Sequence, residues 1–456
     1  MESMEKLYAQ LDDLLKEKKH REFSELASDI SPVDLADFLS GLEDEELVTA
    51  FRLLKKDAAA DTFAELDPDV QEKIILTTTD TRLAQILDDL SIDDAVDCLQ
   101  ELPASMVKRI LRVAKPETRA QINKFLSYPE DSAGSIMTAE FLSVRENFTV
   151  AQAVEHIRGT GINKETVYVA YITDDKSMLR GLVSLRNLLF ADAGSVIRDI
   201  MTTDVVSAVT TDDKETVAAT ISRYDFLALP IVDREGRLVG IVTVDDALDV
   251  LEDEATEDME VMAAISPSDK PYLKTSVWDI WKKRVPWLLL LMVSATFTGS
   301  IISHYEAALG AYVVLTSFIP MLMDSGGNAG GQASVTIIRG LSLGEISLKN
   351  IFRVMLKELR VAALCGGTLC VVNFFKVMLL DFRCVFTAQN LLVAAIVSAT
   401  LFCTILVANL IGSSLPILAK RLGFDPAVMA SPFITTVVDA VSLIIYFRFA
   451  SALLGI

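Results

Sequence analysis

Histidine is nearly missing from this chain: His20, His156 and His304 are the only three in 456 residues, and they are scattered. No nucleophile stands beside a candidate base and no Gly-rich phosphate loop occurs, so an enzyme is the least supported class. Cysteine is scarce as well. Cys98, Cys365, Cys370, Cys384 and Cys403 form no Cys-x-x-Cys pair, which argues against a structural zinc site or a disulfide framework. The first residues, Met1-Glu2-Ser3-Met4-Glu5-Lys6, lack an apolar core, so no signal peptide is expected and the soluble half should stay on the side where it is made. Basic charge is short in one half only. Residues 271–456 hold 8 acids and 14 bases, leaving 55 acids and 28 bases for residues 1–270. An acidic half of that kind repels nucleic acid and anionic lipid and attracts cations, and hard divalent ions prefer carboxylate oxygen.

What the second half has in plenty is apolar length. Five segments, at about 286–304, 311–338, 359–380, 388–418 and 428–455, each carry the roughly 20 residues that spanning a bilayer needs. Basic residues cluster before the first (Lys282, Lys283, Arg284), between the second and third (Arg339, Lys349, Arg353, Lys357, Arg360) and between the fourth and fifth (Lys420, Arg421). The positive-inside rule then predicts a multi-pass protein of the cell membrane with its N-terminal half cytoplasmic and its C-terminus outside.

Two of these segments carry polar residues that hydrocarbon does not tolerate. The second contains Pro320 through Gln332, Pro-Met-Leu-Met-Asp-Ser-Gly-Gly-Asn-Ala-Gly-Gly-Gln. On a helix Asp324, Gly327, Asn328, Gly331 and Val335 fall on one face, which reads as a cation path. A close helix contact through small residues would explain the glycines but not Asp324, Asn328 and Gln332 together. The last segment places Asp439 about 16 Å along a helix, near the bilayer centre. An unpaired aspartate there costs at least ~2.5 kcal/mol, and Lys376 and Arg448 sit toward the outer ends, so a proton or a bound cation is the remaining partner. Ser431, Thr435 and Asp439 recur every four residues and offer hard oxygen ligands suited to Mg²⁺.

The first half reads as two kinds of structure. Ser31, Asp67 and Ser91 stand as N-caps before short apolar-periodic runs, and Pro32, Pro68 and Pro116 fall near helix starts. Stacked short helices in a small superhelix are expected over residues 1–130. Residues 137–253 contain a duplication: Met137-Thr138 is echoed by Met201-Thr202, and Gly181-Leu182-Val183-Ser184 by Gly240-Ile241-Val242-Thr243. With Leu229-Pro230-Ile231-Val232-Asp233, this resembles a tandem pair of CBS domains, which implies a regulatory module and ATP or AMP as ligand, with Thr243 and Asp246 near where such modules hold ribose.

Taken together the motifs resemble the MgtE magnesium channels and transporters over nearly the whole chain. They are Gly326-Gly327-Asn328-Ala329-Gly330-Gly331-Gln332, and Gly423-Phe424-Asp425-Pro426-Ala427-Val428 leading to Pro432 and Asp439. The resemblance implies a multidomain architecture. An all-α N-domain (1–130) precedes α/β tandem CBS domains (131–253, with copies at 137–190 and 201–253). A connecting plug helix (254–285) then leads to a five-helix transmembrane pore domain (286–456). It implies a homodimer with the pore lined by the second and fifth spans, Asp439 holding a largely hydrated Mg²⁺, and Asp324, Gly327, Asn328, Gly331, Ser431 and Thr435 nearby. It also implies closure by intracellular Mg²⁺ bridging Asp93, Asp97, Glu215, Asp225, Asp246, Asp249, Glu254, Glu257, Asp258 and Asp425. Some members carry asparagine where this chain has Gly331, and a small residue where it has Asp324. The same reading admits Co²⁺ or Mn²⁺ as cargo. A transporter for an anion or organic solute is opposed by Asp324 and Asp439, and a tethered sensor leaves both unexplained.

Overall fold

The structure, a computed structural model, describes residues 2–268, 272–273, 275–306, 310, 312–429 and 431–454. The chain divides into two compact units, Met1–Glu252 and Asp253–Ile456.

The first unit opens with ten short helices, from α1 (Glu2–Lys16) to α10 (Pro116–Phe125). Proline starts three of them, at Pro32, Pro68 and Pro116, where its missing N–H has no intrahelical partner to lose. Of the three expected caps, Ser91 accepts from the Asp94 amide at the head of α8 (Ile92–Glu101), while Ser31 and Asp67 occupy the cap position without a side-chain capping bond. Two small sheets follow in the same order. One holds β1 (Ser143–Arg145), β2 (Val169–Thr173) and β3 (Leu179–Ser184), with α11 (Val150–Thr160), α12 (Leu185–Phe190) and α13 (Ile197–Ile200) around it. The other holds β4 (Ala208–Val209), β5 (Ala228–Val232) and β6 (Leu238–Thr243), with α14 (Lys214–Tyr224). Each sheet has one parallel and one antiparallel pairing, with a register shift at the matching place, Ile172/Thr173 and Ile231/Val232.

The duplicated Met-Thr pairs are docked reciprocally. Thr138 pairs its backbone with Ile241 on β6, and Thr202 pairs with Leu182 on β3. Gly240 and Gly181 are required there: a Cβ at either would lie 2.8 Å from the Thr138 or Thr202 carbonyl oxygen. The apolar core of the N-terminal helices continues into Met137, Val217, Ile221, Leu229 and Val242 of the second copy, while the first copy has its own core around Val144, Ile172 and Val183.

α15 (Val244–Met262) runs through the unit boundary as one helix. It begins earlier and ends sooner than the sequence led us to expect. The connecting helix expected over 254–285 breaks after Met262 because Ala264 adopts a left-handed backbone (φ 57°) and Pro267 offers no amide donor. Ser276 then caps a new helix, α16 (Val277–His304). α17 (Ile319–Ser342), α18 (Ile351–Lys376), α19 (Ala388–Leu422) and α20 (Ser431–Leu454) complete the second unit. Residues 313–318, expected to be part of the second apolar helix, form a 3-10 turn instead, and Pro320 sits in the first turn of α17. Among the described residues, four helical stretches are long and apolar enough to cross a membrane: Val277–His304, Leu348–Asp381, Ala388–Leu422 and Pro426–Leu454. α17 is not among them, since glycine and polar side chains dilute it.

Candidate metal path and acidic clusters

α17 presents two unlike faces. Gly326, Gly327, Gly330, Gly331, Ala333 and Ser334 are buried, whereas Asp324, Asn328, Gln332, Val335 and Thr336 are exposed. The five residues expected on one face therefore split. Gly327 and Gly331 lie on the packed side because the absence of a Cβ lets α19 and α20 approach the backbone. A Cβ at Gly326 would stand 2.6 Å from Thr404 Cγ2, one at Gly327 2.9 Å from Thr435 Cγ2, and one at Gly330 2.8 Å from Ile434 Cγ2. Gly412 on α19 is tighter still, its Cβ position only 2.1 Å from the Gly330 carbonyl oxygen.

That packing sets the polar residues of two helices side by side. Asp439 and Thr435 on α20 are half-buried, and Asp439 lies within electrostatic reach of Asp324. Thr435 donates its hydroxyl to the Pro432 carbonyl at 2.9 Å, which leaves its oxygen lone pairs free to accept. Ser431 begins α20, and its side chain lies outside those described. An exposed stripe of Asp, Asn and Gln amid apolar helices cannot face hydrocarbon without unsatisfied polar groups. It must face water or protein.

The acids assigned to regulation fall into two groups. In the first unit Asp93 is pushed up to about 6, first by burial and then by Asp94, against hydrogen bonds from the Ser91 and Thr138 hydroxyls. Asp246 is raised by burial and by Asp245 and Asp94, although Thr243 donates to it at 2.6 Å. Glu165 reaches about 7 through partial burial and the charges of Asp93, Asp245, Asp246 and Asp94. Glu140 is raised by burial and Asp94, with Lys164 opposing. Asp249 contributes to the field on Glu65. Asp97 and Glu215 have partners of their own, and Asp225 closes α14 in a left-handed conformation at the surface. In the second unit Asp258 is raised by burial and then by Asp425, and Ser342 donates to it at 3.5 Å. Asp425 itself accepts from the Ala427 amide at 2.8 Å. Glu254 is half-buried and Glu257 exposed on the same helix.

Sequence reasoning missed Glu140, Glu165, Asp94 and Asp245. Glu165 is a lone acid in a short connection, with no periodicity to mark it. The Gly412 seam could have been found, because Ala408, Gly412 and Pro416 repeat every four residues. Among the described residues, no three His, Cys, Asp or Glu side chains already form a group that could hold a metal ion. Both carboxylate groups thus consist of mutually repelling acids close to one another, short of a finished cage.

This arrangement defines a multi-pass membrane protein whose soluble part carries a CBS pair. The sequence matches the divalent cation transporter family MgtE over residues 319–449, the MgtE intracellular N domain over 30–131, and the CBS domain over 133–194 and 197–253. It is 38% identical to the magnesium transporter MgtE of Thermus thermophilus, covering 99% of both chains. It is 32% identical to that of Bacillus subtilis, covering 96% of this chain and 95% of the relative. Among solved structures it resembles the soluble part of a magnesium transporter, with a TM-score of 0.53 and 34% identity over 55% of this chain and 99% of that one. It also resembles the cytosolic domain of the Mg²⁺ channel MgtE in complex with ATP, with a TM-score of 0.51 and 39% identity over 53% and 99%. The chain belongs to the MgtE family of magnesium transporters, a family of membrane transport proteins and not of enzymes.

Proposed function

We propose that the chain imports Mg²⁺ across the cell membrane along the exposed stripe of α17, with Asp439 as the principal ion-holding carboxylate. The observation that carries this reading is the approach of Asp439 to Asp324, two acids on neighbouring helices in a predominantly apolar unit. A cation between them removes their repulsion and satisfies the charge each would otherwise leave in low dielectric. Asn328 supplies an oxygen and Thr435 an acceptor, and hydrated Mg²⁺ needs few direct ligands. Gly327 and Gly331 act from behind, holding α17 close to α20. All five long helices cross the membrane, α17 shielded from lipid by its neighbours. A second copy of the chain covers the polar stripe and completes the path as a homodimer, with the N-terminal half cytoplasmic and the C-terminus outside.

Closure by internal Mg²⁺ follows from the same physics. The cluster around Asp93, Glu165 and Asp246 and the pair Asp258–Asp425 each gain from a bridging cation, with Asp97, Glu215, Asp225, Asp249, Glu254 and Glu257 adding to the acidic field. A closed form that binds the ion more tightly than the open one is then favoured as internal Mg²⁺ rises. ATP at the CBS pair would meet Thr243 and Asp246, whose mutual hydrogen bond leaves the Thr243 lone pairs and the second Asp246 oxygen able to accept from ribose hydroxyls. Flux into proteoliposomes tests the cargo: Mg²⁺ should be carried by wild type and lost in Asp439→Ala, whereas equal flux in both would overturn the assignment. Competition by Co²⁺ or Mn²⁺ in the same assay ranks the ions.

A further inference from the structure

The turn before α18 and its first turns read Leu348-Lys349-Asn350-Ile351-Phe352-Arg353-Val354-Met355-Leu356-Lys357-Glu358-Leu359-Arg360. Leu348, Phe352, Leu356 and Leu359 recur at helical spacing, and each is followed by a base: Lys349, Arg353, Lys357 and Arg360. Two parallel stripes result, one apolar and one basic, about 16 Å long and one residue apart around the axis. Both are uncovered. Phe352 is 82% exposed and Leu348, Leu356 and Leu359 between 37% and 44%, and the four bases are exposed as well. Among the described residues no carboxylate forms an ion pair with any of these four bases, although the half-buried Glu358 lies within the field of Lys357. The same segment opens the apolar stretch Leu348–Asp381, so the bases stand where that stretch meets water.

We infer that this double stripe is a binding surface for anionic phospholipid, the apolar stripe lying against acyl chains and the basic stripe against the phosphate. Loop charge alone fixes an orientation in the membrane. It does not call for an uncovered Phe and three Leu interleaved with the bases, which is the pattern of a helix end seated at a charged interface. An acidic protein surface would match the bases but leave the apolar stripe unmatched. A free phosphate would ignore that stripe altogether.

The test uses the full chain in detergent, titrated separately with phosphatidylglycerol and phosphatidylcholine and read by native mass spectrometry. Phosphatidylglycerol should bind at least about tenfold more tightly. In Arg353→Gln/Lys357→Gln/Arg360→Gln that preference should fall to about fivefold or less, the share of the remaining Lys349, at roughly fivefold per base. Phe352→Ser should weaken both lipids alike. Equal binding of the two lipids by wild type, or an undiminished preference in the triple variant, overturns the inference. Displacement of the lipid by inorganic phosphate would mean a simple anion site and overturns it too. Protection of Lys357 from an amine-reactive reagent in detergent free of anionic lipid would mean that protein covers the stripe, and this also overturns the inference. If the triple variant fails to fold, Lys357→Gln alone gives the same readout at smaller amplitude.

Discussion

Asp93, Asp94, Glu140, Glu165, Asp245 and Asp246 crowd one neighbourhood of the first unit, whereas the packed helices α17 and α20 of the second unit bring Asp324 and Asp439 together as a pair. In the first group no single charge is decisive. Burial and mutual repulsion raise Asp93, Glu140, Glu165 and Asp246 above the ordinary carboxylate range, and each neighbour partly substitutes for another. In the second group each acid stands nearly alone, and its placement depends on glycines that let the helices touch. A collective acidic field grades its response to cation concentration, while a pair fixed by packing fails all at once.

The sharpest way to break this contrast is to alter the pair. Asp439→Ala and Asp439→Asn should both reduce Mg²⁺ flux to background in proteoliposomes while the protein still purifies as a folded species. Retained flux in the asparagine variant would show that geometry and not charge matters there. Next in size is the packing that supports the pair. Gly412→Val forces side-chain atoms into the Gly330 backbone and Gly330→Val into Ile434, and each should destabilise the second unit by about 3 kcal/mol, read as a lowered melting temperature. Asn328→Ala, on the exposed stripe, should leave melting unchanged and alter flux alone. Gly327→Leu should do both, since its side chain would meet Thr435.

The collective field should respond to pH more gently. Asp93 and Glu165 are raised in the folded chain, to about 6 and about 7. A raised carboxylate favours folding below its unfolded pKa, near 4, and loses that contribution as pH climbs through the folded value. Without divalent ions the first unit should therefore loosen between about pH 4 and 7, seen as faster limited proteolysis of the full chain. Millimolar Mg²⁺ should restore protection more at pH 8 than at pH 5. Equal protection at both would mean that the ion binds elsewhere. The smallest effect belongs to Glu254→Gln/Glu257→Gln/Asp258→Asn. It should shift inhibition of flux by internal Mg²⁺ to higher concentration, by roughly fivefold if about 1 kcal/mol of bridging is lost.

Much of this was visible in the residues themselves. Prolines at the first helical turn marked α3 (Pro32–Ser40), α6 (Pro68–Thr77) and α10, and the Gly-Ile-Val-Thr echo marked β3 and β6. Asp439 was legible because an isolated acid in an apolar run has few explanations. The buried sides were less so. Gly327 and Asn328 are adjacent in sequence, and only the partners of each face decide which is covered. Glu165 was invisible because its environment is assembled from Asp93, Asp245 and Asp246, distant in the chain. The break at Ala264 was missed because alanine is a strong helix former, and nothing in its own side chain marks a left-handed backbone.

The reciprocal docking of Met137-Thr138 on β6 and Met201-Thr202 on β3 makes the two CBS copies unable to part cleanly. Each copy is latched by the strap that introduces the other, so a cut between residues 194 and 197 would leave both fragments with an open sheet edge and an uncovered glycine. The pair therefore behaves as one mechanical element with two lobes. Whatever distorts one lobe is felt at the strap of the other, and a shuffled or permuted gene would have to carry both straps or neither.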